Sequence, residues 1–303
     1  MLEIKPSIAR GWGTGELYPI LRQLQDFSMG HQGTVYFVEK NSGSDGYDGL
    51  SWDKPFKTIV YAIAVCNANI GRGPQGWQSR NTIFIKGDFT ETLDIFPQKT
   101  DIIGCGSTNH MSMARIIGTH APTDTVWGVR FFNVWFQTTT ATIIITFESG
   151  GFEMHNCWFK AYADGATTAT HAMTIDRPID VLIQGCRFTP NLQTPFSTAA
   201  IAITEGTGAT DNCRIIGNDI YGATGIHITA PVGSYSGCLI KDNFIHATTF
   251  TIDDDSNQWD VVDNRLISDA AESSAIDANA DLAVGNILTT TDDCRSWPFV
   301  TIT

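Results

Sequence analysis

From Thr82 onward the chain is written in short runs of alternating apolar and polar residues, rich in Thr and Ile and separated by Gly, Asn and Asp. A period of two bounded by turn formers reads as a succession of short β-strands. Val35-Tyr36-Phe37-Val38 reads as one more strand, and the dense turn cluster Asn41 to Gly49 follows it. Two stretches keep a helical period instead. Over residues 58–70 it gathers Ile59, Ile63, Cys66 and Ile70 on one face, beside the small Ala62. Over residues 1–33 it gathers Leu17, Ile20, Leu21, Leu24 and Phe27, behind Gly11-Trp12-Gly13-Thr14-Gly15. We therefore expect an N-terminal docking arm carrying a short amphipathic helix, with Pro19 near its first turn, where proline is tolerated.

The strands repeat at long range. Anchoring on Cys105, Val134, Cys157, Cys186, Asn218, Asn243, Asn264 and Asn286 gives spacings of 29, 23, 29, 32, 25, 21 and 22. The residue before each anchor is Gly104, Asn133, Asn156, Gly185, Gly217, Asp242, Asp263 or Gly285, all types that tolerate a left-handed backbone. Three positions before the anchors every residue is apolar: Ile102, Phe131, Met154, Ile183, Ile215, Ile240, Val261 and Ala283. Two positions after them stand Phe136, Phe159, Phe188, Ile220, Ile245, Leu266 and Leu288, with Ser107 as the exception. A strand, bend, strand unit cannot bury its apolar side alone, but coils stacked in register share a continuous core. The expected fold is an all-β, single-stranded parallel β-helix, a solenoid on the order of 40 Å tall for eight or nine coils.

Stacking places Asn218, Asn243, Asn264 and Asn286 above one another, where amides bond along the axis as a structural ladder. Cys213 and Cys238 open matching segments and should stack as small core residues. Open solenoid ends expose unpaired strands and need covers. The helix at 58–70 is expected to cap the first coil, and the apolar Trp297, Phe299 and Val300 to cover the last coil or reach a neighbour. The division is then 1–33 arm, 34–290 β-helix including its cap, and 291–303 C-terminal tail.

Composition removes several function classes. The net charge of −13, without a basic patch, argues against nucleic acid and against an anionic membrane as partners. The longest uninterrupted apolar run, Ile59 to Cys66, falls far short of the roughly 20 residues that span a bilayer. Lys5, Pro6 and Arg10 followed by a Gly-rich turn do not form an export signal, so none is expected. Seven Cys without CxxC or zinc spacing read as buried thiols of a reducing compartment. Neither a cofactor nor a metal is expected.

The stretch Gly43-Ser44-Asp45-Gly46-Tyr47-Asp48-Gly49-Leu50-Ser51, followed by Pro55-Phe56-Lys57-Thr58-Ile59 and Ala62, resembles the opening of right-handed β-helix proteins of the pectate-lyase-like superfamily. That group includes polysaccharide lyases, phage tailspikes and other virion proteins. Together with the coils the resemblance spans residues 34–290. It implies a right-handed helix of three short sheets, trimeric in the viral members, with carbohydrate-active or host-binding surfaces in some. The expected arm and the lack of an export signal tilt the expectation toward a trimeric structural protein of a virion, assembled in the host cytoplasm beside other virion proteins. Capsid decoration or a spike or fibre component of a tailed virus fits a chain with no sizeable domain after the coils. Its outer loops would then meet a host polysaccharide.

The rival expectation is a polysaccharide lyase or glycosidase. A lyase needs carboxylates to hold Ca²⁺ and a base, and a glycosidase needs two carboxylates about 5–10 Å apart. Neither constellation is assignable, so no catalytic residue is expected. The best candidates are Asp176, Asp180, Glu205, Asp211 and Asp219, with Lys160, Arg177, Arg187 and Arg214 nearby in the coils. Asp253-Asp254-Asp255 reads as a wet acidic turn, Asp45, Asp48 and Asp53 as Asx-turn residues, and His155 and His227 as structural or surface residues. One position past the anchor should face outward, yet it holds Trp135, Trp158, Phe244 and Ile287. Contiguous exposed aromatics mark interfaces, so this stripe is the expected contact between copies about a threefold axis.

Overall fold

The computed structural model describes residues 33–70, 79–106, 113–122, 125–148, 150–160, 169–189, 196–204, 210–229, 235–256, 258–269, 282–290 and 300–301. Glu205, Ser107, the helical stretch of the arm and most of the C-terminal tail lie outside them.

The chain is a parallel β-solenoid, mostly β, with one helix among the described residues. Its first sheet stacks Val35–Glu39, Asn81–Lys86, Thr100–Gly104, Val126–Phe132, Gly150–His155, Ile179–Gln184, Thr210–Ile216, Cys238–Lys241, Trp259–Val262 and Leu282–Val284 in chain order. Every neighbouring pair is parallel. The apolar column anticipated three positions before the anchors runs inside this sheet, from Ile83 and Ile102 through Phe131, Met154, Ile183, Ile215 and Ile240 to Val261 and Ala283. All but Ala283, at the open end, are buried.

The bend between the sheets explains the Gly, Asn and Asp before the anchors. Asn133, Asn156, Gly185, Gly217, Asp242, Asp263 and Gly285 all adopt φ between 52° and 72°. Only small or locally bonding residues hold that left-handed conformation cheaply. From Cys157 onward each strand of the second sheet begins one residue past its anchor, and the one before begins at Val134 itself. The inward column of this sheet runs Phe89, Ile116, Phe136, Phe159, Phe188, Ile220, Ile245 and Leu266, and the backbone of Leu288 continues the register. Phe159 stacks on Phe136 at 5.2 Å and on Phe188 at 4.7 Å.

One anchor differs from the expectation. Val134 pairs with Ala114, not Cys105, because the chain leaves the first sheet at Thr100–Gly104 and enters the second only at Ala114–Ile117. Ile116, and not Ser107, is in register with Phe136 and fills the inward place. Gly104, correspondingly, is absent from the left-handed set.

A third run of strands, Ile145–Phe147, His171–Asp176 and Phe196–Thr204, joins the second sheet at the long strand Asp219–Ile228. From there on both runs are carried by single strands, with a register shift between Gly222 and Thr224. The apolar interior is one continuous cluster.

The helix Ile59–Ile70 buries the anticipated face, Ile59, Ala62, Ile63, Cys66 and Ile70, and packs on the first two strands of the first sheet. Thr58 precedes it, and its Oγ1 accepts from the Tyr61 backbone N–H at 3.3 Å. Glu91 accepts from the N–H groups of Ile59 and Val60 at 2.9 and 3.1 Å, which ties the helix start to the second sheet. At the other end Val300–Thr301 pairs antiparallel with Ile287–Thr290, so part of the tail does cover the last coil.

Candidate functional site

Identical offsets in successive coils assemble one outward column on the second sheet: Asp88, Arg115, Trp135, Trp158, Arg187, Asp219, Phe244, Arg265 and Ile287. It contains all four residues of the expected aromatic stripe and one candidate carboxylate. The stripe is not a continuous apolar surface, because cations from neighbouring coils cover its rings. Arg115 lies 4.8 Å over Trp135 and Lys160 5.3 Å from the same ring. Arg187 lies 5.8 Å over Trp158, and Arg265 5.5 Å over Phe244. Guanidinium groups favour such ring faces electrostatically. Trp135 is consequently only 8% exposed, which corrects the expectation of an exposed ring. Trp158 is half-buried, stacks on Trp135 at 6.2 Å and donates its indole N–H to Thr189 Oγ1. Phe244 is 36% exposed and Ile287 half-buried.

Asp219 sits in the column between Arg187 and Phe244. Burial raises its carboxyl pKa, and the Arg187 charge offsets part of that rise. Among the described residues no second carboxylate contributes to its titration. A carboxyl so placed can hold a proton longer than an ordinary Asp, and a two-carboxylate hydrolase would need a second one about 5–10 Å away; the candidate Glu205 lies outside the described residues.

Among the described residues the remaining candidates do not converge on it. Asp176 ends a strand of the third run and pairs with Arg177 at 3.1 Å. Asp180 has a left-handed backbone, φ 56°, and accepts from Asn212 Nδ2 at 2.7 Å. Asp211, in register with Ile179, accepts from Ser236 Oγ. Asp180 and Asp211 therefore serve the opening of first-sheet strands, across the bend from Asp219. Lys160 and Arg187 belong to the aromatic surface, whereas Arg214 stands on the first sheet between Leu182 and Leu239.

The other acidic groups have structural duties. Asp45 accepts from the N–H groups of Lys57 and Thr58 and from Thr58 Oγ1, latching the turn cluster onto the helix start. Asp48 makes an Asx-turn with Leu50 N–H at 3.0 Å. The run at 253–255 is split between environments: Asp253 faces His227 at 3.7 Å, buried Asp254 accepts from the Ser256 N–H and Oγ–H, and Asp255 is exposed. His155 stacks on Phe132 at 4.8 Å and bonds Glu153. Among the described residues no group of His, Cys, Asp or Glu is arranged to hold a metal, and no helix is long and apolar enough to cross a membrane.

Sequence reasoning missed the column beside this one. Tyr221 stacks on His246 at 4.6 Å, and His246 Nε2 lies 3.0 Å from Asp269 Oδ1. Burial and the Asp269 charge push the Tyr221 phenol up. The common offset of three from Asn218 and Asn243 was the signal available for the Tyr–His pair.

No protein-family model and no curated protein matches the chain. Among solved structures, the GH136 lacto-N-biosidase from Eubacterium ramulus, as its selenomethionine derivative, is similar with a TM-score of 0.26 and 10% identity. The match covers 91% of this chain and 70% of that one. At this level it carries no argument about activity.

Proposed function

We propose that the protein is a structural, non-catalytic component of a virus particle, a trimeric capsid decoration or a spike or fibre element, whose second-sheet surface meets a host glycan. The observation that carries this reading is the polar spine of the solenoid. Oδ1 of Asn243 accepts from both the N–H and the Nδ2 of Asn218 at 2.9 Å, and Asn264 and Asn286 repeat the arrangement at 2.9–3.0 Å. Buried amides bonded from coil to coil resist bending and shear, which suits a load-bearing rod. The dispersal of the described candidate carboxylates over different faces supports the same reading.

The threefold contact would rest on Phe244 and Ile287, because Trp135 is buried while Phe244, with Arg265 over one face of its ring, keeps its exposure. Sedimentation of the full chain is expected to give a trimer, and Phe244→Asp to shift it toward monomer. Mass spectrometry of particles purified from the producing culture should find the protein at stoichiometric level. Its absence from them would refute the assignment. The rival reading, a polysaccharide-degrading enzyme, is favoured by the raised carboxyl of Asp219. Release of unsaturated or reducing ends from a polysaccharide panel, abolished by Asp219→Asn, would establish that reading instead.

A further inference from the structure

The helix Ile59–Ile70 contains no charged residue. Its two asparagines are both engaged by the body it caps: Asn67 Oδ1 accepts from the Gln98 N–H at 3.0 Å, and Asn69 Nδ2 donates to the Tyr36 hydroxyl. The side turned to solvent therefore carries Val60, Tyr61, Ala64 and Ala68, with Val60 49% and Tyr61 41% exposed. The Tyr61 ring meets Phe56 edge-on at 5.0 Å and leaves its other side open. A helix that is apolar on every side belongs in an interior, so this outer face calls for a cover.

The place where the described chain begins says which cover fits. Thr34 donates its N–H to Asn81 Oδ1 at 2.9 Å, and Nδ2 of the same amide donates to the Cys66 carbonyl at 3.3 Å. One side chain thus separates the entry of the first strand from the middle of the helix. A Cβ on Gly33 would strike the Arg80 carbonyl, so the entry is held close against the strand that follows the helix. Residues 1–32 precede this point and lie outside the described residues. Among them Leu17, Ile20, Leu21, Leu24 and Phe27 fall at helical spacing, and Glu16, Arg22, Gln25 and Asp26 between them are polar. At about 1.5 Å per residue that stripe measures about 15 Å, against about 18 Å for the helix Ile59–Ile70. The link from Ser28 to Gly33 reaches roughly 20 Å when extended, enough to lay the stripe over the helix. Val60, Ala64 and Ala68 follow one another at a spacing of four, which lets a second helix approach at the usual distance of about 8–10 Å between axes.

We propose that the apolar stripe of residues 17–27 docks, within the same chain, on the outer face of the helix Ile59–Ile70 as a second layer over the first coil. The polar side of the arm then faces solvent, and the uncharged helix becomes interior on both sides. The inference is independent of the virion reading.

The test keeps the full chain. Leu21→Cys and Leu24→Cys are each combined with Ala64→Cys and oxidised with glutathione disulfide, and mass spectrometry of the digest identifies the joined residues. At least one pair should join at monomer mass, because packed helices bring facing Cα atoms within the roughly 7 Å that a disulfide spans. Arg22→Cys and Gln25→Cys, on the polar side, should not join Ala64→Cys. Hydrogen exchange supplies a second readout: Ala64→Glu should speed exchange at residues 17–27 by about 10-fold or more and leave the asparagine-ladder coils unchanged. Joining between two chains would assign the helix face to a second copy and overturn the proposal. Equal joining by the polar-side cysteines, no joining at all, or exchange at residues 17–27 that Ala64→Glu does not change would overturn it as well.

Discussion

The upper and lower coils solve one packing problem in two ways. At the bend position the upper coils carry Val134, Cys157 and Cys186, and the lower coils carry Asn218, Asn243, Asn264 and Asn286. Two residues on, the upper coils fill the core with the stacked Phe136, Phe159 and Phe188, and the lower coils with Ile220, Ile245 and Leu266. The carbonyl to be satisfied is the same in both halves. Cys157 and Cys186 thiols reach Phe131 and Met154 carbonyls at 3.6 Å, while Asn218, Asn243, Asn264 and Asn286 donate to Ile183, Ile215, Ile240 and Val261 at 2.8–3.0 Å. A thiol is a weak donor and an amide a strong one. Where apolar filling is bulky, a weak axial bond suffices; where it is slimmer, the amide ladder adds cohesion along the axis.

The largest expected effect comes from cutting that ladder. Asn243→Leu keeps much of the shape but removes the acceptor used by Asn218 and the donor used by Ile215. Each buried group left without a partner costs about 1–3 kcal/mol, so a total loss of about 4 kcal/mol is expected from urea unfolding. Phe159→Leu in the upper half should cost about 1.5 kcal/mol or less, because its neighbours can close in on an apolar gap. If Asn243→Leu proves no worse than Phe159→Leu, the ladder is not what holds the lower coils.

Acid should separate the halves next. His120 is buried beside Phe136, its Nδ1 accepts from the Leu93 N–H at 3.1 Å, and burial lowers its pKa from 6.5 to about 4. A lowered histidine pKa means that the folded state refuses a proton the unfolded chain accepts. The stabilisation is therefore complete above pH 6.5 and is lost as pH falls through about 4. The loss attributable to this residue approaches about 3 kcal/mol, since each tenfold drop in proton affinity on folding costs roughly 1.36 kcal/mol. Melting temperature followed from pH 7 to pH 4 should fall less steeply in His120→Gln than in the parent chain. The amides of the lower ladder do not titrate, so hydrogen exchange should show the upper coils loosening first.

What could be read from the sequence follows the same physics. The columns three before and two after the anchors were legible because burial in every coil forces an apolar residue at a fixed offset. The ladder was legible because an amide bonding its own kind must recur. Cys105 misled because it is small and follows a glycine, as real bend residues do, while the insertion ending near Ala114 leaves no periodic trace. The burial of Trp135 was hidden for another reason: Arg115 and Lys160 come from coils 20 or more residues away in either direction, and nothing in a single segment announces them. Asp180, a candidate on residue type alone, has a left-handed φ of 56°, a backbone feature that no motif in the sequence announced.

The smallest expected effect is the sharpest test of whether the two halves are interchangeable. Cys186 is the last thiol before the ladder, and its backbone N–H already donates to Asn218 Oδ1 at 2.8 Å. An amide at this place would direct its Nδ2 to the Met154 carbonyl and to Asn218 Oδ1, as Asn218 does toward Ile183 and Asn243. Its oxygen would accept from the coil above. Replacing a weak donor by these bonds should contribute about 1 kcal/mol, within the usual net value of a buried hydrogen bond. Cys186→Asn should then raise the melting temperature by about 2–4 °C, whereas Cys186→Ala should lower it. A fall in Cys186→Asn as large as in Cys186→Ala would mean that the Phe159 and Phe188 rings beside the site fix its volume too tightly for an amide. The boundary between thiol and amide anchors would then be set by core shape rather than by hydrogen bonding.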